Sequence, residues 1–184
     1  PEVLKRMGRW GARDRFERMI DRIRSADPLA GLRATFILGF PGEKDEDAFA
    51  VESFVDDSDL DWIGTFTYSR EEGTRSYPFE DQVPDEVARE RVERVAGVAD
   101  RAMERRARSL VGKRLKVLVE RFDVEENVWT GRSQREAPEI DGEIRFTTTR
   151  RPKVGGYVEV ELTATDGADL VGVGSADTVP SARG

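Results

Sequence analysis

Apolar residues return every three or four positions in residues 13–26, RDRFERMIDRIRSA, where Phe16, Met19, Ile20 and Ile23 share a face and charges fill the rest. That spacing predicts a helix, and DPLAG at 27–31 ends it. The period then breaks. Residues 32–38 hold the run Ala34, Thr35, Phe36, Ile37, Leu38, which has no helical spacing and reads as a strand apolar on both faces. Gly39-Phe40-Pro41-Gly42-Glu43 interrupts it, and a helix over 45–56 follows, with Phe49, Phe54 and Val55 apolar. Its first turn is acidic, where carboxylates meet the positive end of the helix dipole. Residues 59–69, DLDWIGTFTYS, place Trp62, Ile63, Phe66 and Tyr68 on a second buried strand. Helix–strand–helix–strand is the order of parallel βα units. A closed (β/α) barrel needs ~200 residues or more, so this region reads as part of a larger α/β domain.

Residues 69–83, SREEGTRSYPFEDQV, are a polar loop. Pro84 suits a first helical turn, and a long amphipathic helix runs from there to about Leu110. Its stripe is Ala88, Val92, Val95, Ala99, Met103, Ala107 and Leu110. Beyond it the period becomes two. RLKVLVERF, NVWTGRSQ, DGEIRFTTT, YVEVELTAT and DLVGVGS are five short strands separated by turn residues, which predicts a five-stranded, OB-like antiparallel barrel. The expected organisation is α/β plus all-β: 1–83, a connecting helix 84–109, a barrel 110–175, and a polar, disordered tail 176–184.

Charge and composition narrow the chemistry. The 184 residues carry a net charge of −7, which disfavours a phosphate backbone as main ligand and favours a basic protein partner. There is no Cys and no His, so this chain cannot itself ligate an iron–sulfur cluster or supply a thiol or imidazole to catalysis. No metal site is expected, and such a composition suits a binding domain or a fragment better than a complete enzyme. No run of ~18 apolar residues and no basic-then-apolar leader is present, so a cytoplasmic protein with no membrane partner is expected. Pro at position 1 suggests a processed product or a cut piece.

PEVLKRMGR, TFILGFPGE, FTYSREEGT, DQVPDEV and GRSQREAPEIDGE occur here in that order. Together they resemble the methylthiotransferases of the radical S-adenosylmethionine class. The likeness covers residues 1 to about 174. Within the class, the EEGT and APEIDG variants look more like the type that modifies an aspartate of small-subunit ribosomal protein S-twelve than like the tRNA-modifying type. Members of the class carry cluster-binding cysteines in an N-terminal domain and in a CxxxCxxC loop, all absent here. The resemblance therefore implies the C-terminal part of a radical S-adenosylmethionine barrel, a connecting helix and a TRAM domain, the missing N-terminal part being a partner. It also implies S-adenosylmethionine and two 4Fe–4S clusters in the full-length protein, with this part inactive alone.

By the same resemblance Thr35, Ile37, Gly39 and Phe40 lie at or near the adenosine pocket, and Tyr68 and Ser69 join them. Read without it, Gly39 and Gly42 make a tight strand–helix turn stiffened by Pro41. Glu71 and Glu72 look like an acid/base pair, but a solvated loop is the better reading. Between residues 109 and 175 ten Lys or Arg face twelve Asp or Glu, a poor balance for general RNA binding, so nucleic acid is not expected as a partner. The acidic segment 136–143, with Glu136, Glu139 and Asp141, is expected to lie exposed and to dock a basic ribosomal protein, S-twelve. The other reading is a fragment of a tRNA methylthiotransferase or an RNA-binding TRAM module.

Overall fold

The computed structural model describes residues 2–179. In chain order they form α1 (Glu2–Arg6), α2 (Arg13–Ala26), β1 (Arg33–Leu38), α3 (Asp45–Asp57), β2 (Trp62–Thr67), α4 (Asp85–Ser109), β3 (Arg114–Asp123), β4 (Val128–Arg132), β5 (Ile144–Thr148), β6 (Tyr157–Asp166) and β7 (Asp169–Val179). Two compact units result, Pro1–Ala102 and Met103–Gly184, and the division falls inside α4.

In the first unit β1 and β2 pair in parallel, Arg33 opposite Trp62 through Leu38 opposite Thr67. Leu38, Ala48, Val55, Val95 and Ala99 are buried together, with Phe36, Val51, Ile63, Val92 and Val98 against them. Helices α3 and α4 thus cover the side of the sheet that carries Phe36 and Leu38. The alternate residues of β1 tell a different story: Arg33 and Thr35 are exposed and Ile37 is half-buried. Paired residues share a face, so Thr35 lies beside Gly64, and Ile37 beside Phe66, which is 60% exposed. The strand is apolar on both faces, yet one face is covered and the other is bare.

The second unit is a closed barrel in the order β3-β4-β5-β7-β6. Four neighbouring pairs are antiparallel and one, β5 with β7, is parallel. The barrel is therefore mixed, a correction of the antiparallel expectation. The reason is parity: directions cannot alternate around a closed ring with an odd number of strands. Leu115, Val117 and Val119 of β3, Ile144 and Phe146 of β5, and Val158, Val160 and Leu162 of β6 fill the interior, as period-two strands require. Irregularities at Val119/Arg121, Val158/Val160 and Leu162/Ala164 turn the long strands around the barrel. Gly131 is needed where β4 crosses β3, since a Cβ there would fall 2.1 Å from the Leu118 carbonyl oxygen. The backbone of β7 continues to Val179, paired with β6, so residues 176–179 are strand rather than disordered tail. The rest of the expected tail, 180–184, lies outside the described residues.

Candidate functional site

The strand end at Gly39–Glu43 is organised by one carboxylate. Gly39 has φ +79, and a Cβ on it would lie 2.4 Å from the Ala88 Cβ, so only glycine lets the chain pass this close to α4. The Gly39 N–H donates to Glu43 Oε1 at 2.9 Å. Arg91 Nη1 donates to the same oxygen at 2.9 Å, and Arg91 Nη2 reaches Asp45 at 2.6 Å. The Glu43 and Arg91 side chains are only 4% and 6% exposed. Burial pushes the Glu43 carboxyl above the ordinary carboxylate range, opposed by the N–H groups of Gly39 and Phe40 and by Arg91. Sequence reasoning missed this pair. Its signal was Arg91 at i+3 in the stripe that begins at Ala88 and continues through Val92 and Val95, an apolar-face position that a cation holds only when paired.

The loop after β2 lies against this turn. Gly42 donates its N–H to the Asp81 carbonyl at 2.8 Å, and Arg6 grips the Asp81 carboxylate with both terminal nitrogens at 2.6 and 2.7 Å. The guanidinium of Arg6 also sits 5.1 Å from the Phe79 ring centroid. Phe79 packs edge-on to Phe40 at 6.2 Å, and Phe40 to Tyr68 at 5.1 Å. The Tyr68 hydroxyl donates to Ser76 Oγ at 2.8 Å.

The six residues expected at the adenosine pocket therefore divide. Thr35 and Ile37 stand on the bare face of the sheet. Gly39 and Phe40 are buried within the turn, and Phe40 is only 4% exposed. Tyr68 is half-buried beside Phe40, and Ser69 is exposed, donating to Glu71 at 2.5 Å. Phe66, which was read only as a strand residue, joins Thr35 and Ile37. Glu71 and Glu72 are both exposed, in keeping with a solvated loop. Among the described residues no group of three or more His, Cys, Asp or Glu is placed to hold a metal ion.

In the second unit the segment after β4 departs from expectation. Glu136 is buried, at 5% exposure. Its carboxylate accepts from the Ser133 N–H at 2.8 Å and the Ser133 hydroxyl at 2.7 Å, and Arg135 pairs with it at 3.5 Å. Glu136 is thus a structural acceptor that holds the loop, not a free docking charge. Asp141 is half-buried and accepts the Ala137 N–H at 2.8 Å. Glu139 alone of the three is exposed, at a left-handed backbone position with φ 62. A short polar loop must satisfy its own N–H groups, and nearby carboxylates are the cheapest acceptors.

Comparison with known proteins finds likenesses that reach both units. Residues 111–174 match the TRAM domain family, which coincides with the closed barrel. Along nearly its whole length, the chain is 42% identical over 171 residues to a protein of Streptomyces avermitilis named ribosomal protein uS12 methylthiotransferase RimO, covering 93% of this chain and 34% of that protein. The same name belongs to a protein of Saccharopolyspora erythraea, 38% identical over 185 residues, with 100% of this chain and 38% of the relative covered. It also belongs to one of Thermoanaerobacter, 39% identical over 171 residues, with 93% and 38% covered. The chain is a relative of the RimO proteins. It spans about a third of the length of the RimO proteins it matches. The likeness runs through both units, so it includes the bare two-stranded sheet as well as the TRAM barrel.

Proposed function

We propose that this chain is the part of a RimO-type enzyme that walls the S-adenosylmethionine site and docks the substrate, an aspartate of ribosomal protein uS12 whose β-carbon receives the methylthio group. The observation that carries the reading is identity of 38–42% along 93–100% of the chain to proteins with that one activity in their name. The geometry agrees with it. A bare sheet face bearing a hydroxyl (Thr35) and two apolar side chains (Ile37, Phe66) suits a ribose and a purine. Gly39 and Phe40 would act from behind this face by fixing the turn, and Tyr68 and Ser69 would edge it.

Bound S-adenosylmethionine would supply the radical chemistry on reductive cleavage. The two 4Fe–4S clusters do not fit residues of this chain, which has no Cys and no His; their ligands would lie in the remainder of the enzyme, and this part alone is inert. Glu139 would remain the acidic contact of the barrel for a basic ribosomal protein. With such a substrate the enzyme would work in the cytoplasm.

The test is complementation of a bacterium lacking its own RimO with the full-length protein, followed by mass spectrometry of uS12. A methylthiolated aspartate is expected. Unmodified uS12 would overturn the reading, and a methylthio group on tRNA instead would place the protein with the tRNA-modifying relatives. For the cofactor wall, Phe66→Ala in the full-length protein should weaken S-adenosylmethionine binding by about tenfold, the loss expected when a buried aromatic contact of ~1.4 kcal/mol is removed; unchanged affinity would remove Phe66 from the site.

A further inference from the structure

The loop 69–83 leaves the end of β2 and returns to the turn at the end of β1. Most of its hydrogen bonds stay inside it. The Thr74 N–H donates to the Glu71 carbonyl, Tyr77 to Thr74 and Phe79 to Ser76, and the Gln82 side chain donates to the Phe79 carbonyl. Tyr68, at the root of the loop, reaches Ser76. Among the described residues, every hydrogen bond from 69–83 to chain outside 68–83 ends on Asp81. The Gly42 N–H takes its carbonyl at 2.8 Å, and the two terminal nitrogens of Arg6 take its carboxylate. A long loop is thus moored at one residue.

Gly42 makes room for that mooring. Its φ is +82, and a Cβ on it would fall 2.0 Å from Arg6 Nη1 and 2.6 Å from Asp81 Oδ2. The ion pair therefore lies directly against the main chain of the turn. Arg6 also covers Phe79, whose ring meets Phe40 edge-on. It touches both routes by which the loop meets the turn, the Asp81 main chain and the Phe79–Phe40 ring contact. Arg6 closes α1 and stands 75 positions from Asp81, so nothing local brings the two together.

Stability is not what this pair chiefly supplies. The side chains of Arg6 and Asp81 are 30% and 51% exposed, and ion pairs in such a setting contribute little to folding. Two parallel N–H···O bonds supply direction instead. They fix one orientation of Asp81, and with it the carbonyl that holds Gly42. At Gly39 the same turn is held by the buried Glu43 and Arg91. One end is fixed by burial, and the other by a strap that solvent can reach.

We propose that Arg6 is a positioning residue for the cofactor: through Asp81 it straps segment 79–82 onto Gly42 and sets the shape of the turn that borders the adenosine. This rests on the S-adenosylmethionine site proposed above. Arg6 acts through Asp81 and Phe79 and does not itself touch the ligand.

The experiment uses the full-length protein and compares three readouts: S-adenosylmethionine affinity by equilibrium dialysis, melting temperature, and hydrogen exchange by mass spectrometry. Arg6→Gln should weaken affinity by about five- to tenfold, the cost of ordering a loosened segment on binding. Its melting temperature should move by less than ~4 °C, and exchange in peptides 40–44 and 78–83 should quicken. Asp81→Asn should match it, and the double variant should bind no more weakly than either single, because the two residues act as one unit. Additive losses would overturn the proposal, as would unchanged affinity in both single variants. So would a loss of affinity that only tracks a large fall in melting temperature, the mark of a purely structural residue. A parent protein that does not bind S-adenosylmethionine would instead sink the proposed function. The strap is then read from exchange alone: quicker exchange over 40–44 in Arg6→Gln upholds it, and unchanged exchange overturns it.

Discussion

The two units handle the same problem, unsatisfied strand edges and apolar faces, in opposite ways. The barrel closes: each of its five strands has two neighbours, and its apolar side chains meet inside. The first unit has two parallel strands, one face under helices, and the other face carrying Phe66 in the open. A sheet with two free edges and a bare face is the geometry of an unfinished layer. The barrel, closed on itself, needs no further chain to complete its core.

The sharpest way to break this comparison is native-state hydrogen exchange. Amides of β3, β5 and β6 should be protected at least a hundredfold more than those of β1 and β2, because opening a two-stranded sheet disturbs far less buried surface. Uniform protection in a dilute monomer would contradict it.

Core truncation should have its largest cost in the barrel. Phe146, 1% exposed, should cost about 3–5 kcal/mol on replacement by alanine. Chemical denaturation followed by the fluorescence of Trp129, itself buried in the barrel, measures it, and a loss below 1 kcal/mol would show a loosely packed interior.

Within the first unit the buried Glu43–Arg91 pair should matter nearly as much. Arg91→Leu leaves Glu43 without its cation, a change worth about 3 kcal/mol or more. The pH dependence has a definite sign. Burial raises the Glu43 carboxyl, so the folded state holds that proton more tightly than the unfolded chain. This group therefore favours folding as pH falls and opposes it as pH rises through the raised value. Asp81 is held below the ordinary carboxylate range by its hydrogen bonds to Arg6, so its contribution is present at neutral pH and is lost as pH falls through that lowered value. Melting curves from pH 3 to 7 should accordingly show Asp81→Asn less sensitive to acid than the parent, and Glu43→Gln losing the opposite, acid-side gain. Superimposable profiles would remove both groups.

The smallest effects separate two residues of one loop. Glu136→Gln should destabilise the barrel by about 1–3 kcal/mol, since the buried Arg135 loses its anion and faces an amide NH2 or a neutral carbonyl instead, whereas Glu139→Gln should stay within ~0.5 kcal/mol. If Glu139 meets a basic partner, its replacement should slow association and reduce the salt sensitivity of capture without changing the melt. Equal melts for both variants would return Glu136 to the surface.

Much of this architecture was legible along the chain because period and punctuation are local. The 3.6-residue stripes of α2 and α4 and the period-two run after Leu110 depend only on which residues follow which. So did the parallel order of the first unit. Even the mixed barrel was implicit, since five strands that close cannot alternate all the way round. The cofactor role proposed for the bare face came from the family likeness, and no periodicity carries it.

What the chain pattern left undecided depends on which distant segments meet. Glu43 and Arg91 are 48 positions apart, and only packing of α4 against the strand end makes their charges partners. Glu136 looked like a free acid because a string of carboxylates reads as solvated until a loop folds back and spends them on its own N–H groups. The apolar run of β1 suits cover on both faces, yet burial is a property of neighbours, and two strands with helices on one side supply cover for one face only. Sequence by itself determined the elements and their order, because propensity and periodicity act over a few residues. Tertiary structure alone decided which charges are partnered, which glycine is forced, and which face of the sheet is left open, because those are set by close approach between residues far apart in the chain.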